Sequence, residues 1–186
     1  VVFNPSAVGT RSAVLSIANN DSNENPYNFS IQGSGVAAPE MEVRGNTLQI
    51  LDGDTTPSLF DHTDFGEATV AGGTVTRTFT INNLGDANLN LTGNPRVAVS
   101  GANAADFSVS VQPSSFVVPG GSTIFTVVFN PSAGGLRSAA LSIANNDANE
   151  NPYNFNIQGT GVNPPAAFIK LLPLNGATEV STSPSL

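Results

Sequence analysis

Val128-Phe129-Asn130-Pro131-Ser132 opens, and Gln158-Gly159-Thr160-Gly161-Val162 closes, a segment that the chain contains twice. Val2-Phe3-Asn4-Pro5-Ser6 through Gln32-Gly33-Ser34-Gly35-Val36 repeats it 126 positions earlier (128 − 2). Between 1–36 and 127–162 only positions 8, 10, 14, 22, 30 and 34 differ from their counterparts. Within the segment Leu141 and Ile143, then Tyr153, Phe155 and Ile157, alternate with polar side chains. Period two is the spacing of a strand with one buried face. Long-range self-similarity marks a tandem array. The expectation is a chain cut from such an array, with its ends off the module boundaries.

Working outward, the same alternation recurs. Val75, Phe79 and Ile81 oppose Thr76, Thr78 and Thr80, and Phe125, Val127 and Phe129 oppose Ile124, Thr126 and Val128. Leu89 and Leu91 form a further short row, and Phe107, Val109 and Val111 another. Glu40 to Arg44 starts the first strand of the complete module, and Asp61 to Gly66 reads as loop leading to a second. Asp52-Gly53-Asp54-Thr55-Thr56-Pro57, Leu84-Gly85-Asp86 and Pro119-Gly120-Gly121 supply turn chemistry. Seven to nine short strands with no helical period predict an all-β fold of immunoglobulin-like β-sandwich modules in tandem. Residues 1–36 read as the closing half of one module (strand, turn, strand, loop, strand), and 37–162 as a complete one. Residues 163–186 read as a stiff Asn163-Pro164-Pro165 linker and the opening of a further immunoglobulin- or fibronectin-like domain.

Composition narrows the function. Acidic residues outnumber basic ones 14 to 6, a net charge of −8. Nucleic acid demands a basic face, and anionic lipid does too. With no cysteine, disulfides and thiolate metal sites are excluded and packing must hold the modules. No run of about 18 apolar residues exists to cross a membrane as a helix. Few charges amid many Asn, Ser, Thr and Gly suit an extracellular, cell-surface protein. There is no Gly-x-Ser-x-Gly elbow, and the single histidine, His62, has no serine partner in view, so no enzyme is expected.

The complete module resembles the bacterial choice-of-anchor D repeat, a family related to the ASPM/SPD-2/Hydin (ASH) immunoglobulin-like domains. Asp52-Gly53-Asp54-Thr55-Thr56-Pro57, Asp64-Phe65-Gly66, Thr78-Phe79-Thr80-Ile81-Asn82-Asn83, Ala105-Asp106-Phe107 and Phe129-Asn130-Pro131 carry the resemblance. Ile143-Ala144-Asn145-Asn146-Asp147 and Pro152-Tyr153 through Thr160-Gly161 complete it. It implies a secreted multi-domain protein of the cell surface, with no enzymatic activity and no fixed ligand.

Two loop clusters are candidates for binding. Asp147, Asn149 and Glu150, with Asp52 and Asp54 beside them, offer the hard oxygens that calcium takes. The same residue types cap turns through their own side chains, so a polar hairpin loop is the competing reading. This loop is expected to face the Ala37-Ala38-Pro39 junction. Asp52, Asp54, Asp61, His62 and Asp64 form the second cluster. An EF-hand counted from Asp52 would need a glutamate where Thr63 stands, which rejects that motif. No other cofactor is expected. The expected partners are neighbouring modules of the same protein, with two further readings open: an adhesive module that binds glycan or protein, and self-assembly through the incomplete ends.

Overall fold

The computed structural model describes residues 1–165. Two strands precede Pro39: β1 (Gly9–Ile17) and β2 (Tyr27–Gly35), an antiparallel hairpin that joins no other sheet among the described residues. Then follow β3 (Met41–Gly45), β4 (Leu48–Ile50), β5 (Asp64–Thr69), β6 (Val75–Asn83), β7 (Leu89–Asn90) and β8 (Ala98–Ser100). A single 3-10 turn at Ala104–Asp106 leads into β9 (Phe107–Val111), β10 (Phe116–Val117), β11 (Ser122–Phe129), β12 (Gly135–Ile143) and β13 (Tyr153–Val162). The fold is an all-β sandwich. One sheet runs β4-β3-β6-β11-β9, the other β5-β13-β12-β8, and β7 and β10 form a small ribbon.

The alternation in the sequence is what builds the core. Phe79 and Ile81 of β6, Phe125, Val127 and Phe129 of β11, Leu141 and Ile143 of β12, and Tyr153, Phe155 and Ile157 of β13 are all buried. Phe79 stacks on Phe125 with ring centroids 5.1 Å apart, and Phe155 from the other sheet reaches Phe79 at 5.9 Å. Burial of these faces, at ~25 cal/mol per Å² of apolar surface, is the main force holding the sheets together.

Three expectations need correction. Asp64–Thr69 is a strand, pairing parallel to β13. A register shift opposite Gln158/Thr160 puts the buried residues Phe65 and Ala68 three positions apart, so period two is broken there. Val111 does not share the burial of Phe107, because β9 is an edge strand whose end is exposed. Val1–Phe3 does not form a strand, whereas its copy Val127–Phe129 ends β11, between β6 and β9. The expected domain in 163–186 lies outside the described residues, apart from Asn163–Pro165.

Candidate functional site

The two sequence copies provide a comparison within one molecule. Ile143, Tyr153 and Phe155 are 0%, 1% and 2% exposed, but Ile17, Tyr27 and Phe29 are 52%, 51% and 41% exposed. The hairpins have the same register, from Gly135↔Gly161 to Ile143↔Tyr153 and from Gly9↔Gly35 to Ile17↔Tyr27. Among the described residues, a second sheet lies against β12–β13 and none against β1–β2.

The Asn145–Pro152 loop, joining β12 to β13, sits where the chain enters the sandwich. The buried Asp147 carboxylate accepts the backbone N–H of Met41 at 2.8 Å, which ties the loop to the first residue of β3. Asn145 organises the loop from inside. Its Oδ1 accepts the Asp147 N–H at 2.7 Å, and its Nδ2 donates to the carbonyls of Ile143 and Glu150. Asn19 in the exposed copy does the same with Asp21, Ile17 and Glu24. The loop therefore folds through its own side chains, whether or not a sheet lies against it.

The candidate oxygen ligands are committed to the backbone in the same way. Asp52 Oδ1 accepts the Asn154 N–H at 2.7 Å, and Asp54 Oδ1 takes the N–H and hydroxyl of Thr56. Between them Gly53 N–H donates to the Asn154 carbonyl, and Asn156 N–H donates to that of Asp54. Asp52-Gly53-Asp54 thus runs along the start of β13 as an extra rung. Asn149 offers its N–H to Asp147 at 3.4 Å. Among the described residues, no group of three or more His, Asp or Glu side chains is arranged to hold a metal ion.

Glu150 differs from these residues. Its Oε2 is buried without a partner. Burial, then the nearby charges of Asp147, Glu40, Asp52 and Glu42, push its carboxyl up to about 7. In the second cluster Asp61 caps Thr63, and Asp64 accepts from Gly66 N–H and Gln158 Nε2. Burial, then the charge of Arg77, pushes the His62 imidazole down.

A buried ion pair lies in the same module, and reading the sequence missed it. Asp106, 3% exposed, accepts Arg137 Nε and the Ser132 N–H. Burial pushes its carboxyl up, but the bonds from Ser132 and Arg137 outweigh burial and hold it below the ordinary value. The signal was available: Arg137 falls in the row of Ala139, Leu141 and Ile143, and a cation in a buried row calls for an anion.

The linker is also held. The Ala38 carbonyl accepts N–H groups from Asp86 and Ala87, at 2.9 and 3.2 Å. Gly85 is required there, since a Cβ would lie 2.3 Å from the Ala38 oxygen.

Residues 58–160 match the family described as HYDIN/CFA65/VesB-like, Ig-like domain. The chain belongs to that family. The match agrees with the ASH kinship inferred from the sequence; the choice-of-anchor D label is finer than it reaches. No curated protein matches the chain. Among solved structures, a protein of unknown function from Porphyromonas gingivalis W83 is 18% identical, with TM-score 0.48, over 86% of this chain and 69% of its own. The ASH/PapD-like domain 7 of human CEP192 is 17% identical, with TM-score 0.42, over 68% of this chain and 88% of its own. VesB protease of Vibrio cholerae is 17% identical, with TM-score 0.36, over 53% of this chain and 30% of its own. An Ig-like module of this family is a unit of structure or interaction. No helix among the described residues is long and apolar enough to cross a membrane.

Proposed function

We propose that this chain is a structural, non-catalytic segment of a long extracellular surface protein, a stalk or filament whose Ig-like modules are strung end to end. One observation carries the reading. The chain enters the sandwich at the Asp147 end, through Met41, and leaves it at Val162, whose carbonyl accepts the Val70 N–H. The ten residues of β13 separate these ends by about 30 Å. A module with opposite entrance and exit adds its length to the array, and the Ala38 latch limits bending. The weakly charged, Asn-, Ser- and Thr-rich composition supports the extracellular setting.

Small-angle scattering on chains carrying one, two and three modules tests this. The expected result is a maximum dimension that grows linearly, by at least about 30 Å per module. Modules that fold back on one another would contradict it. Retained affinity of a single module for a cell-surface polysaccharide would replace the spacer reading with an adhesive one.

A further inference from the structure

The loop 58–63 closes one side of the sandwich, between the β3–β4 hairpin of one sheet and β5 of the other. It lies tightly against the fold. The Asp61 carbonyl covers Gly45 so closely that a Cβ there would stand 1.8 Å from its oxygen, with the Phe79 ring 3.1 Å away. Asn46 Nδ2 donates to the Phe60 carbonyl at 2.9 Å. The Asp64 N–H donates to the Ser58 carbonyl at 2.9 Å, and the Ser58 N–H to Thr63 Oγ1 at 2.7 Å.

His62 is the irregular member of this loop. Its φ is 67°, a left-handed conformation that a residue with a side chain seldom adopts. Its Nδ1 is buried with no hydrogen-bond partner among the described residues. A cation acts on the ring. Arg77 of β6 shares the row of Phe79 and Ile81, so it is turned inward. Its Nε is likewise buried without a partner among the described residues, and its Nη2 donates to the Phe65 carbonyl at 3.4 Å. The fold thus sets an imidazole within the field of a half-buried guanidinium.

The other charged groups around the loop do not offset this. Asp61 favours the imidazolium, but burial and Arg77 outweigh it. Its Oδ1 is engaged by the N–H and hydroxyl of Thr63. On β5, Asp64 accepts from the Gly66 N–H and Gln158 Nε2, and Glu67 is exposed. On β3, Arg44 is held by Glu42.

We propose that His62 is an acid-operated catch: with a neutral imidazole the 58–63 loop stays closed over Gly45 and Phe79, and protonation releases it. In the imidazolium both ring nitrogens carry hydrogen. The buried Nδ1 then becomes a donor without an acceptor, and a second positive charge joins Arg77. Opening relieves both and frees His62 from its left-handed backbone. Because burial and Arg77 hold the folded imidazole below its ordinary value, the opened loop binds the proton more tightly. Closure is complete above about pH 6.5 and weakens as pH falls toward the folded value. Release uncovers the Gly45 backbone and the Phe65–Phe79 pair, whose ring centroids lie 6.5 Å apart, on the side of the module. The catch acts within one module and does not depend on how modules are strung.

Two measurements on the whole chain test it between about pH 7.5 and pH 5, where an ordinary histidine changes charge. One is an NMR titration of the His62 ring, the chain's only histidine. The other is amide hydrogen exchange, expressed as protection factors so that its intrinsic pH dependence cancels. The ring should titrate below its midpoint in the urea-unfolded chain. Over the same range, protection of the Ser58 and Asp64 amides should fall severalfold while that of Phe155 and Ile157 holds. Glu150 titrates in an overlapping range with the opposite sign, so the loop amides are read and not global melting. His62→Asn tolerates the positive φ and does not titrate, and should abolish the fall. Arg77→Gln should raise the ring's midpoint and shrink the fall, and decides the matter if His62→Asn does not fold. A ring that titrates at or above its unfolded midpoint overturns the proposal. So does loop protection that holds throughout the ring's titration, or an equal fall in either variant.

Discussion

Phe155→Ala and its twin Phe29→Ala form a matched pair, because the two side chains occupy the same place in nearly identical hairpins. Phe155 is 2% exposed and reaches the Phe79 ring, itself stacked on Phe125. Truncation leaves a cavity between two sheets whose hydrogen-bonded backbones cannot close over it. Phe→Ala at such a site costs about 3–5 kcal/mol. At roughly 3–6 °C per kcal/mol for a domain of this size, the melting temperature should fall by roughly 9–30 °C. Phe29 is 41% exposed and its aromatic neighbour is Tyr27, 6.3 Å away on the same strand. Its loss should change the module's stability by no more than about 0.5 kcal/mol. Differential scanning calorimetry on the two variants reads both numbers. Equal shifts, or a Phe155→Ala chain that melts with the wild type, would refute the assignment of the core.

Arg137→Ala leaves the buried Asp106 carboxylate unpaired and should cost about 3 kcal/mol by chemical denaturation at pH 7. The Asp106 carboxyl is held below its ordinary value, so its contribution is present above the unfolded carboxylate range and is lost as pH falls through the folded value. An acid titration of stability should show that loss in the wild type and much less of it in Arg137→Ala. Glu150 has the opposite sign: its carboxyl is raised to about 7, so ionisation opposes folding above that pH and the penalty fades as pH falls toward 4.5. Glu150→Gln should therefore stabilise the module at pH 8, by at most ~3 kcal/mol, and leave it unchanged at pH 4. One oxygen each of Asp52 and Asp54 and both of Asp147 accept backbone N–H groups, so melting should not respond to chelator; a rise in melting temperature with millimolar calcium would support the calcium reading instead.

The fold was legible wherever one strand face meets the core without interruption. Phe79 and Ile81, Phe125 through Phe129, and Tyr153 through Ile157 declare themselves by alternation alone. β5 did not, because the irregularity around Gly66 displaces Ala68 from the phase set by Phe65, and a parallel partner leaves no hairpin turn to announce it. The candidate loop was legible as turn chemistry, since the bonds made by Asn145 are local in sequence. The part that reaches across the fold was not: nothing near Asp147 in sequence points to Met41, 106 residues away. Asp106 was hidden for the same reason, although Arg137 in an apolar row advertised the need for it.

The central claim is that two nearly identical hairpins differ only in what covers them. Residue-resolved amide hydrogen exchange measures this directly. The account predicts that the amides of Leu141, Phe155 and Ile157 exchange only through global unfolding, while those of Leu15, Phe29 and Ile31 exchange orders of magnitude faster in the same sample. Equal protection of the two hairpins would contradict it.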